Sequence, residues 1–187
     1  MKLAVLFPGI GYTCDKPLLY YAAKLARASG YDVLPVAYGG FPKNVRGDIE
    51  KTQRSLELAC ARAEEALAGV RWAECEDILF VGKSIGTVVA ARYAREKRLS
   101  AQCVLFTPLV ETFDHARGSA IAFHGTADPW ADTAEIAAAC RRRGIPLFLT
   151  ENANHSLETG DVAADIAALS EVMDKVREFI VCAPEGA

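Results

Sequence analysis

The stretch Ile78–Arg95, which reads ILFVGKSIGTVVAARYAR, contains the pattern that decides the fold. Its first four residues are apolar and β-prone, as expected of a strand that is buried on both faces of a sheet. The Ala-rich residues 87–95 predict a helix. Between these runs, GKSIG at positions 82–86 matches Gly-x-Ser-x-Gly, a tight strand-to-helix turn that holds a serine in a strained conformation at the carboxyl edge of a sheet. The match is weak by itself, but its context makes Ser84 a strong candidate nucleophile.

A serine hydroxyl needs a base to take its proton, and His155 is the best candidate among the three histidines. It lies in the polar loop 151–157, directly after the apolar run 145–149. Asp128 follows another apolar run and can orient the imidazole. The chain order Ser84, Asp128, His155, each after its own predicted strand, distinguishes one triad fold from others that use different orders.

Each of these residues also has an ordinary structural interpretation. Ser84 can be a helix N-cap, because serine is a preferred residue there. Asp128 before Pro129 can start a turn or cap the next helix. His155 can be a surface loop residue. The occurrence of all three after separate strands, in the right order, argues against coincidence.

These motifs resemble those of the α/β-hydrolase superfamily. The matching segments are GKSIG at 82–86, HGTADPW at 124–130, NANHS at 152–156 and FPGIG at 7–11. The last occupies the place of an oxyanion loop that often reads H-G-x-x-G, and its Phe-Pro start departs from that pattern. The resemblance extends over about residues 2–180 and is greatest to small, capless members similar to dienelactone hydrolases and carboxylesterases.

The resemblance implies a serine hydrolase that cleaves a carboxylic ester or thioester through an acyl-enzyme intermediate. Ser84 would be the nucleophile, His155 the base and Asp128 the acid. The backbone N–H groups of Ile85 and Ile10 would form the oxyanion hole, and neither a metal nor an organic cofactor is expected. Two alternatives stay open: a non-catalytic, hydrolase-like binding or scaffold protein, and an acyltransferase that uses the same triad.

Other histidines and carboxylates are weaker candidates for the same roles. His124 directly continues an apolar run, and the resemblance gives this position a part in shaping the strand end. His115 is expected to line the site or to face solvent. Glu111 and Asp114 are the alternatives to Asp128, because some hydrolases take the acid from the loop after the preceding strand.

Alternating apolar and helical runs predict an α/β fold, with helices on both faces of a mainly parallel sheet. The predicted architecture is a three-layer α/β/α single domain over residues 1–187. It has a reduced six-stranded α/β-hydrolase sheet in the order 2-1-3-4-5-6 and no cap domain, because segment 107–118 is too short to form one. A shallow, open cleft should result. The predicted strands lie near 2–7, 32–38, 77–82, 102–107, 119–124 and 145–150, and the predicted helices near 16–29, 48–69, 85–97, 132–143 and 161–181.

The composition of the chain indicates which kinds of partner it can bind and in which cellular compartment it works. The net charge of −3, without a basic block, argues against nucleic acid, and no apolar stretch approaches the length that spans a membrane. The six cysteines are scattered without a C-x-x-C pair, which favours free thiols in a reducing cytoplasm. The expected partner is a small-molecule acyl ester or thioester, and the sequence does not determine the oligomeric state.

The substrate is the point at which the sequence says least. Tyr12, Tyr38, Phe113 and Trp130 follow predicted strands, and these aromatic side chains can either ring the cleft or pack on neighbouring helices. Lys83, beside the nucleophile, can attract an anionic substrate. It can equally be paired with a carboxylate or face solvent.

Overall fold

The computed structural model describes residues 1–181, in which six strands form one sheet. The strands are β1 (Lys2–Phe7), β2 (Asp32–Pro35), β3 (Asp77–Lys83), β4 (Gln102–Phe106), β5 (Ala120–Gly125) and β6 (Leu147–Thr150). The helices are α1 (Pro17–Ala28), α2 (Ile49–Leu67), α3 (Ile85–Lys97), α4 (Thr112–His115), α5 (Thr133–Arg143) and α6 (Val162–Val181), and a 3₁₀ turn covers Trp72–Glu74.

The sheet order is β2-β1-β3-β4-β5-β6, as predicted. All of these neighbouring pairs are parallel, so the described sheet is wholly parallel. Parallel neighbours cannot be joined by a tight hairpin, and each needs a crossover that leaves the sheet and returns. This connectivity brings the carboxyl ends of all the strands to one edge, where the loops that follow them meet.

Helices cover both faces of the sheet, which confirms the predicted three layers. On one face, α1 and α6 contribute Leu19 and Val176 to a core that includes Leu79 and Val81 of β3. On the other face, α2, α3 and α5 contribute to a second core, which includes Phe80 of β3. Since β3 is buried on both sides, its sequence is continuously apolar rather than alternating.

Most boundaries lie within one or two residues of the predicted ones, and three differences have a local cause. Strand β2 ends at Pro35, three residues early. The Val36 N–H still donates to the Leu6 carbonyl oxygen, but β1 ends before Pro8 and offers no partner beyond that point. Strand β6 begins only after Pro146, which has no N–H to donate. Helix α4 lies within segment 107–118, where no helix was predicted.

Other expectations concern cysteines, membranes and metals. The described cysteines, Cys14, Cys60, Cys75, Cys103 and Cys140, are free thiols. Cys182, and with it the end of the predicted domain, lies outside the described residues. Within residues 1–181, no helix is both long and apolar enough to cross a membrane, and no group of three or more His, Cys, Asp or Glu side chains is placed to hold a metal ion.

Candidate active site

Ser84, Asp128 and His155 meet at the carboxyl edge of the sheet. They follow β3, β5 and β6 respectively. His155 Nε2 lies 2.7 Å from Ser84 Oγ, and His155 Nδ1 lies 2.7 Å from Asp128 Oδ2. A carboxylate, an imidazole and a hydroxyl are thus joined in one hydrogen-bonded series, the arrangement that a serine nucleophile needs for activation.

The backbone of Ser84 is strained. Its φ of 55° and ψ of −125° lie outside the regions that a side chain normally permits. Ser84 occupies the N-cap position of α3, yet its side chain makes no capping hydrogen bond and contacts His155 instead. The Ser84 N–H donates to the Phe106 carbonyl oxygen on β4 at 3.0 Å, which ties the turn to the sheet.

The two glycines of GKSIG, Gly82 and Gly86, allow the turn to pack closely against neighbouring backbone. A Cβ atom on Gly86 would lie 2.1 Å from the Phe7 carbonyl oxygen, and one on Gly82 would lie 2.7 Å from Thr87 Cα. Both distances are far below van der Waals contact. The pattern Gly-x-Ser-x-Gly therefore meets a packing requirement here: α3 begins directly against the end of β1.

Asp128 is both a turn residue and the partner of His155. Its Oδ1 accepts a hydrogen bond from the Trp130 N–H at 2.8 Å, while Oδ2 faces His155. The side chain is fully buried. Burial raises the pKa of Asp128, but the hydrogen bond and the charge of His155 outweigh burial and hold that pKa below its ordinary value. The carboxylate therefore stays ionised beside the imidazole.

His155 is held as a neutral base. Burial lowers its pKa most, the hydrogen bond that His155 donates to Asp128 opposes this, and the neighbouring Lys83 lowers the pKa further, so that it lies below the ordinary value. The Trp130 ring stacks on the imidazole with centroids 5.4 Å apart and planes 27° apart. This contact restricts the orientation of the ring that links Ser84 to Asp128.

The remaining candidates lie elsewhere. His124 is buried behind the acid, with Nδ1 3.7 Å from Asp128 Oδ2 and Nε2 3.2 Å from Thr133 Oγ1. His115 was expected to line the site or to face solvent, and it does neither: it is half-buried and lines a separate cavity of about 350 Å³ together with Arg95, Arg98 and Arg117. Glu111 and Asp114 are exposed, and the carboxylate bonded to His155 is that of Asp128.

Two backbone amides lie beside the nucleophile. The N–H groups of Ile10 and Ile85 have no acceptor among residues 1–181, and both residues line the cavity in front of Ser84. The loop that carries Ile10 is fixed by reciprocal Gly9–Tyr12 backbone hydrogen bonds of 3.0 and 3.2 Å. Gly9 lets this loop approach, because a Cβ atom there would lie 3.3 Å from Ser84 Cβ. Phe7-Pro8 departs from the usual loop pattern, but the loop still brings the Ile10 N–H beside Ser84.

Ser84 opens into a cavity of about 210 Å³, which Tyr12, Lys83 and Trp130 also line. This site cavity continues, past Ile85 and Trp130, into a groove of about 820 Å³. The groove runs between the start of α2 and the loops after β4 and β5. Lys83 is neither paired with a carboxylate nor exposed to solvent, the two alternatives to substrate binding that the sequence left open: its side chain is 1% exposed and points into the site cavity.

Phe113 corrects one prediction, because the structure places it in the hydrophobic core and not in the cleft. It is 4% exposed and packs on the α3 side of the sheet, where α4 turns it inward. Tyr38 likewise packs on the core, against Phe41. For these two aromatic residues, helix packing is the interpretation that holds.

Several lining residues were not predicted from the sequence. Lys16, Val45, Thr52 and Leu109 line the site cavity, although they lie outside every recognisable motif. The sole signal for Lys16 was its nearness to the loop 7–11. Thr52 of α2 reaches the cavity through tertiary packing, which the linear sequence does not reveal.

The sequence matches no protein-family model and resembles no curated protein. Solved structures share its fold. A candidate hydrolase of the α/β superfamily from Xanthomonas campestris pv. campestris superposes with a TM-score of 0.68 at 17% identity, over 95% of this chain and 99% of that one. An esterase from Pyrococcus furiosus superposes with a TM-score of 0.68 at 16% identity, over 96% of this chain and 82% of that one. An α/β serine hydrolase without a lid from Xanthomonas campestris superposes with a TM-score of 0.62 at 12% identity, over 96% of this chain and 80% of that one. The chain therefore has the α/β-hydrolase fold, which confirms the resemblance at that level.

Proposed function

We propose that this protein is a serine hydrolase that cleaves a carboxylic ester or thioester through an acyl-enzyme intermediate. The observation that carries the proposal is the hydrogen-bonded series Asp128–His155–Ser84, with both contacts at 2.7 Å, at the mouth of a cavity. Three groups of the right chemistry rarely adopt this geometry without a catalytic use. Similarity of fold to structures described as esterases supports the reaction class but does not by itself carry it.

In the first half-reaction, Ser84 Oγ attacks the carbonyl carbon while its proton passes to His155 Nε2. Asp128 accepts the Nδ1–H of the imidazole, which fixes the tautomer and stabilises the imidazolium. The negative charge that develops on the carbonyl oxygen is directed to the N–H groups of Ile10 and Ile85. Loss of one such donor typically costs about 10²–10³ in turnover.

The tetrahedral intermediate collapses when His155 returns its proton to the departing alkoxide or thiolate. The second half-reaction repeats the cycle with water: His155 takes a water proton, the hydroxide adds to the acyl-enzyme, and the acid product leaves as Ser84 regains its proton. The described side chains supply every proton transfer in this scheme. Free thiols agree with a reducing compartment, so we place the reaction in the cytoplasm.

The proposal is tested by intact-mass labelling with a fluorophosphonate, which reacts with activated serines. The wild-type protein should gain one adduct, Ser84→Ala should gain none, and Ser100→Ala, a change on an exposed loop, should label like the wild type. A panel of esters and thioesters with and without added alcohol acceptors then separates hydrolysis from acyl transfer. Absence of an adduct on folded wild-type protein would refute the hydrolase and favour a binding protein with a hydrolase-like fold.

A further inference from the structure

We propose that the substrate of this site carries a carboxylate or comparable acidic group close to the scissile carbonyl, and that Lys83 and Lys16 bind this group. The inference rests on the proposed hydrolase function, since it places the acid relative to Ser84. It concerns which esters are cleaved, which neither the fold nor the triad determines.

The first observation is the environment of Lys83. Its side chain is 1% exposed, and within the described chain its ammonium forms neither a hydrogen bond nor an ion pair. Its nearest defined contact is the Tyr12 ring, whose centroid lies 4.9 Å from Nζ. The carboxylates whose fields favour its charged form are those of Asp128 and Glu158, and neither makes an ion pair with it. A poorly solvated ammonium without an anion in contact is costly, and proteins normally pair such a charge. An anionic ligand in the cavity would supply that contact.

The second observation is the direction in which Lys83 points. Alternate residues of a strand share a face, so Lys83 lies on the side of β3 that carries Val81. From there it lines the site cavity together with Ser84 and His155. Lys83 directly precedes Ser84 in the chain, and its charge lowers the pKa of His155. A ligand that paired with Lys83 would therefore lie beside the nucleophile.

A second ammonium lies nearby. Lys16, at the rim of the same cavity, has Nζ 5.3 Å from the centroid of the same Tyr12 ring. The Tyr12 ring is fixed, because its hydroxyl accepts a hydrogen bond from the Leu18 N–H at 3.1 Å. Burial above all, together with the Lys16 charge, lowers the pKa of Lys83 to about 7, despite the opposing fields of Asp128 and Glu158. A bound anion would relieve this repulsion between like charges.

The lining of the cavity favours an anion over other ligands. Its charged or basic residues, taken from the part of the chain that the structure describes, are Lys16, Lys83 and His155, and no carboxylate is among them. The adjoining groove has the opposite character. Its lining includes Arg46 and four carboxylates: Asp48, Glu111, Asp132 and Glu135. An acidic group is therefore attracted to the small cavity and repelled from the large groove, which is left for the uncharged remainder of the substrate.

The size of the site cavity limits the distance between the acid and the ester. At about 210 Å³ it is smaller than the roughly 300–1,000 Å³ of ordinary ligand pockets. It can hold a short acid, with the scissile carbonyl at Ser84 and the charged end at Lys83. The acid can belong to the acyl group or to the alcohol, and a substrate comparison distinguishes the two.

The test compares matched esters that differ in one charge. On the acyl side, the 4-nitrophenyl monoester of glutaric acid is compared with 4-nitrophenyl pentanoate; on the alcohol side, 4-(pentanoyloxy)benzoic acid is compared with its methyl ester. Rates in Ser84→Ala are subtracted to remove spontaneous hydrolysis. The wild type should prefer the acidic member of at least one pair by about 10-fold or more in kcat/KM, the range expected for a charge-assisted hydrogen bond.

Lys83→Met keeps the length of the side chain and removes its charge, and should reduce this preference by about 10- to 100-fold. Lys16→Met should reduce it less, because Lys16 is exposed. The matched control is Lys24→Met: Lys24 also lies over a tyrosine ring, 5.1 Å from the Tyr20 centroid, but outside the cavity. It should change neither the preference nor the turnover. If Lys83→Met does not fold, Lys83→Gln provides the same comparison.

The outcomes separate this inference from the proposed function. If wild-type protein takes a fluorophosphonate on Ser84 but shows no preference for either acidic ester, or keeps its preference in Lys83→Met, the anion site is refuted and the hydrolase stands. If there is no adduct and no ester is cleaved, the hydrolase fails. Calorimetry with glutarate then still decides the anion site: binding that Lys83→Met abolishes supports it, and absence of binding to wild type refutes it.

Discussion

At the residue scale, the carboxylate of Asp128 is shared among neighbours that restrain it from several sides. The Trp130 N–H holds one oxygen, while the other faces His155 at 2.7 Å and His124 at 3.7 Å. Thr133 in turn holds His124 from the far side. A side chain restrained this closely can fix the imidazole tautomer without moving, which is the contribution expected of the acid in a triad.

Asp128→Asn should lower turnover by about 10³- to 10⁴-fold while leaving Ser84 in place. The amide retains the size of the carboxylate but lacks its charge, so it stabilises neither the correct tautomer nor the imidazolium. Steady-state ester hydrolysis measures the effect, and far-ultraviolet circular dichroism checks the fold. Asp174→Asn, at an exposed carboxylate on α6, is the control and should behave like wild type. Unchanged turnover in Asp128→Asn would transfer the role of the acid to Glu111 or Asp114.

Lys83→Met should stabilise the protein most at low pH. The pKa of Lys83 is about 7 in the folded state against an ordinary 10.5. Below pH 7 the lysine is therefore protonated in both the folded and the unfolded state, and the folded state bears the full free-energy cost of burying the charged ammonium. Between pH 7 and 10.5 the unfolded chain binds more protons, and the stability of the wild type rises with pH. At about 1.4 kcal/mol per pKa unit, the gain from Lys83→Met below pH 7 is up to roughly 5 kcal/mol and diminishes toward pH 10.5.

Urea unfolding at pH 6, 8 and 10 measures this trend, with Lys24→Met as the exposed control that should gain nothing. A Lys83→Met protein less stable than the wild type at pH 6 would show that the ammonium has a partner in the folded state. That result would also remove the reason to seek a ligand for it.

At the scale of elements, the turn between β3 and α3 depends on backbones that nearly touch. The start of α3 lies against the carbonyl groups of Phe7 and Pro8 at the end of β1, with the Gly86 backbone between them. The loop that carries Ile10 begins at this same point. The position of the nucleophile and the position of the proposed oxyanion donor are therefore set by one contact.

Gly86→Ala should destabilise the protein by about 3 kcal/mol or more, because a new Cβ atom 2.1 Å from a backbone oxygen forces α3 and β1 apart. The same displacement should slow fluorophosphonate labelling of Ser84. Urea unfolding and labelling rates measure the two effects. Gly69→Ala is the matched control, since nothing lies within 4 Å of a Cβ atom there, and it should stay within about 0.5 kcal/mol of wild type. Equal effects of the two changes would contradict this account.

Elements with strong local signals could be predicted from the sequence, and those set by their neighbours could not. Strand β3 was found because burial on both faces makes it continuously apolar. Strand β2 was predicted too long, since its end depends on where β1 stops and not on its own residues. Helix α4 has four residues, too few for a periodic pattern, and it turns Phe113 into the core and not toward the cleft.

At the scale of the whole molecule, the sheet order followed from a resemblance carried by four short motifs, and it is confirmed. The same motifs led to the residues that meet at the sheet edge, because the carboxyl ends of parallel strands converge whatever the intervening helices contain. The surroundings of Lys83 could not be predicted in this way. Whether a lysine is paired, solvated or isolated depends on tertiary neighbours such as Tyr12 and Lys16, which no local pattern fixes.

The hydrogen-bonded series also has a consequence for how the chain acquires activity. Ser84 and His155 are 71 residues apart, and their meeting requires β3, β4, β5 and β6 to be docked in register. Contacts between residues so distant in the chain are entropically expensive to close, and topologies rich in them fold slowly. A refolding intermediate that contains β1 and β3 alone would hold Ser84 but not its base. The rate at which serine reactivity recovers during refolding would therefore report the rate at which the last strand, β6, joins the sheet.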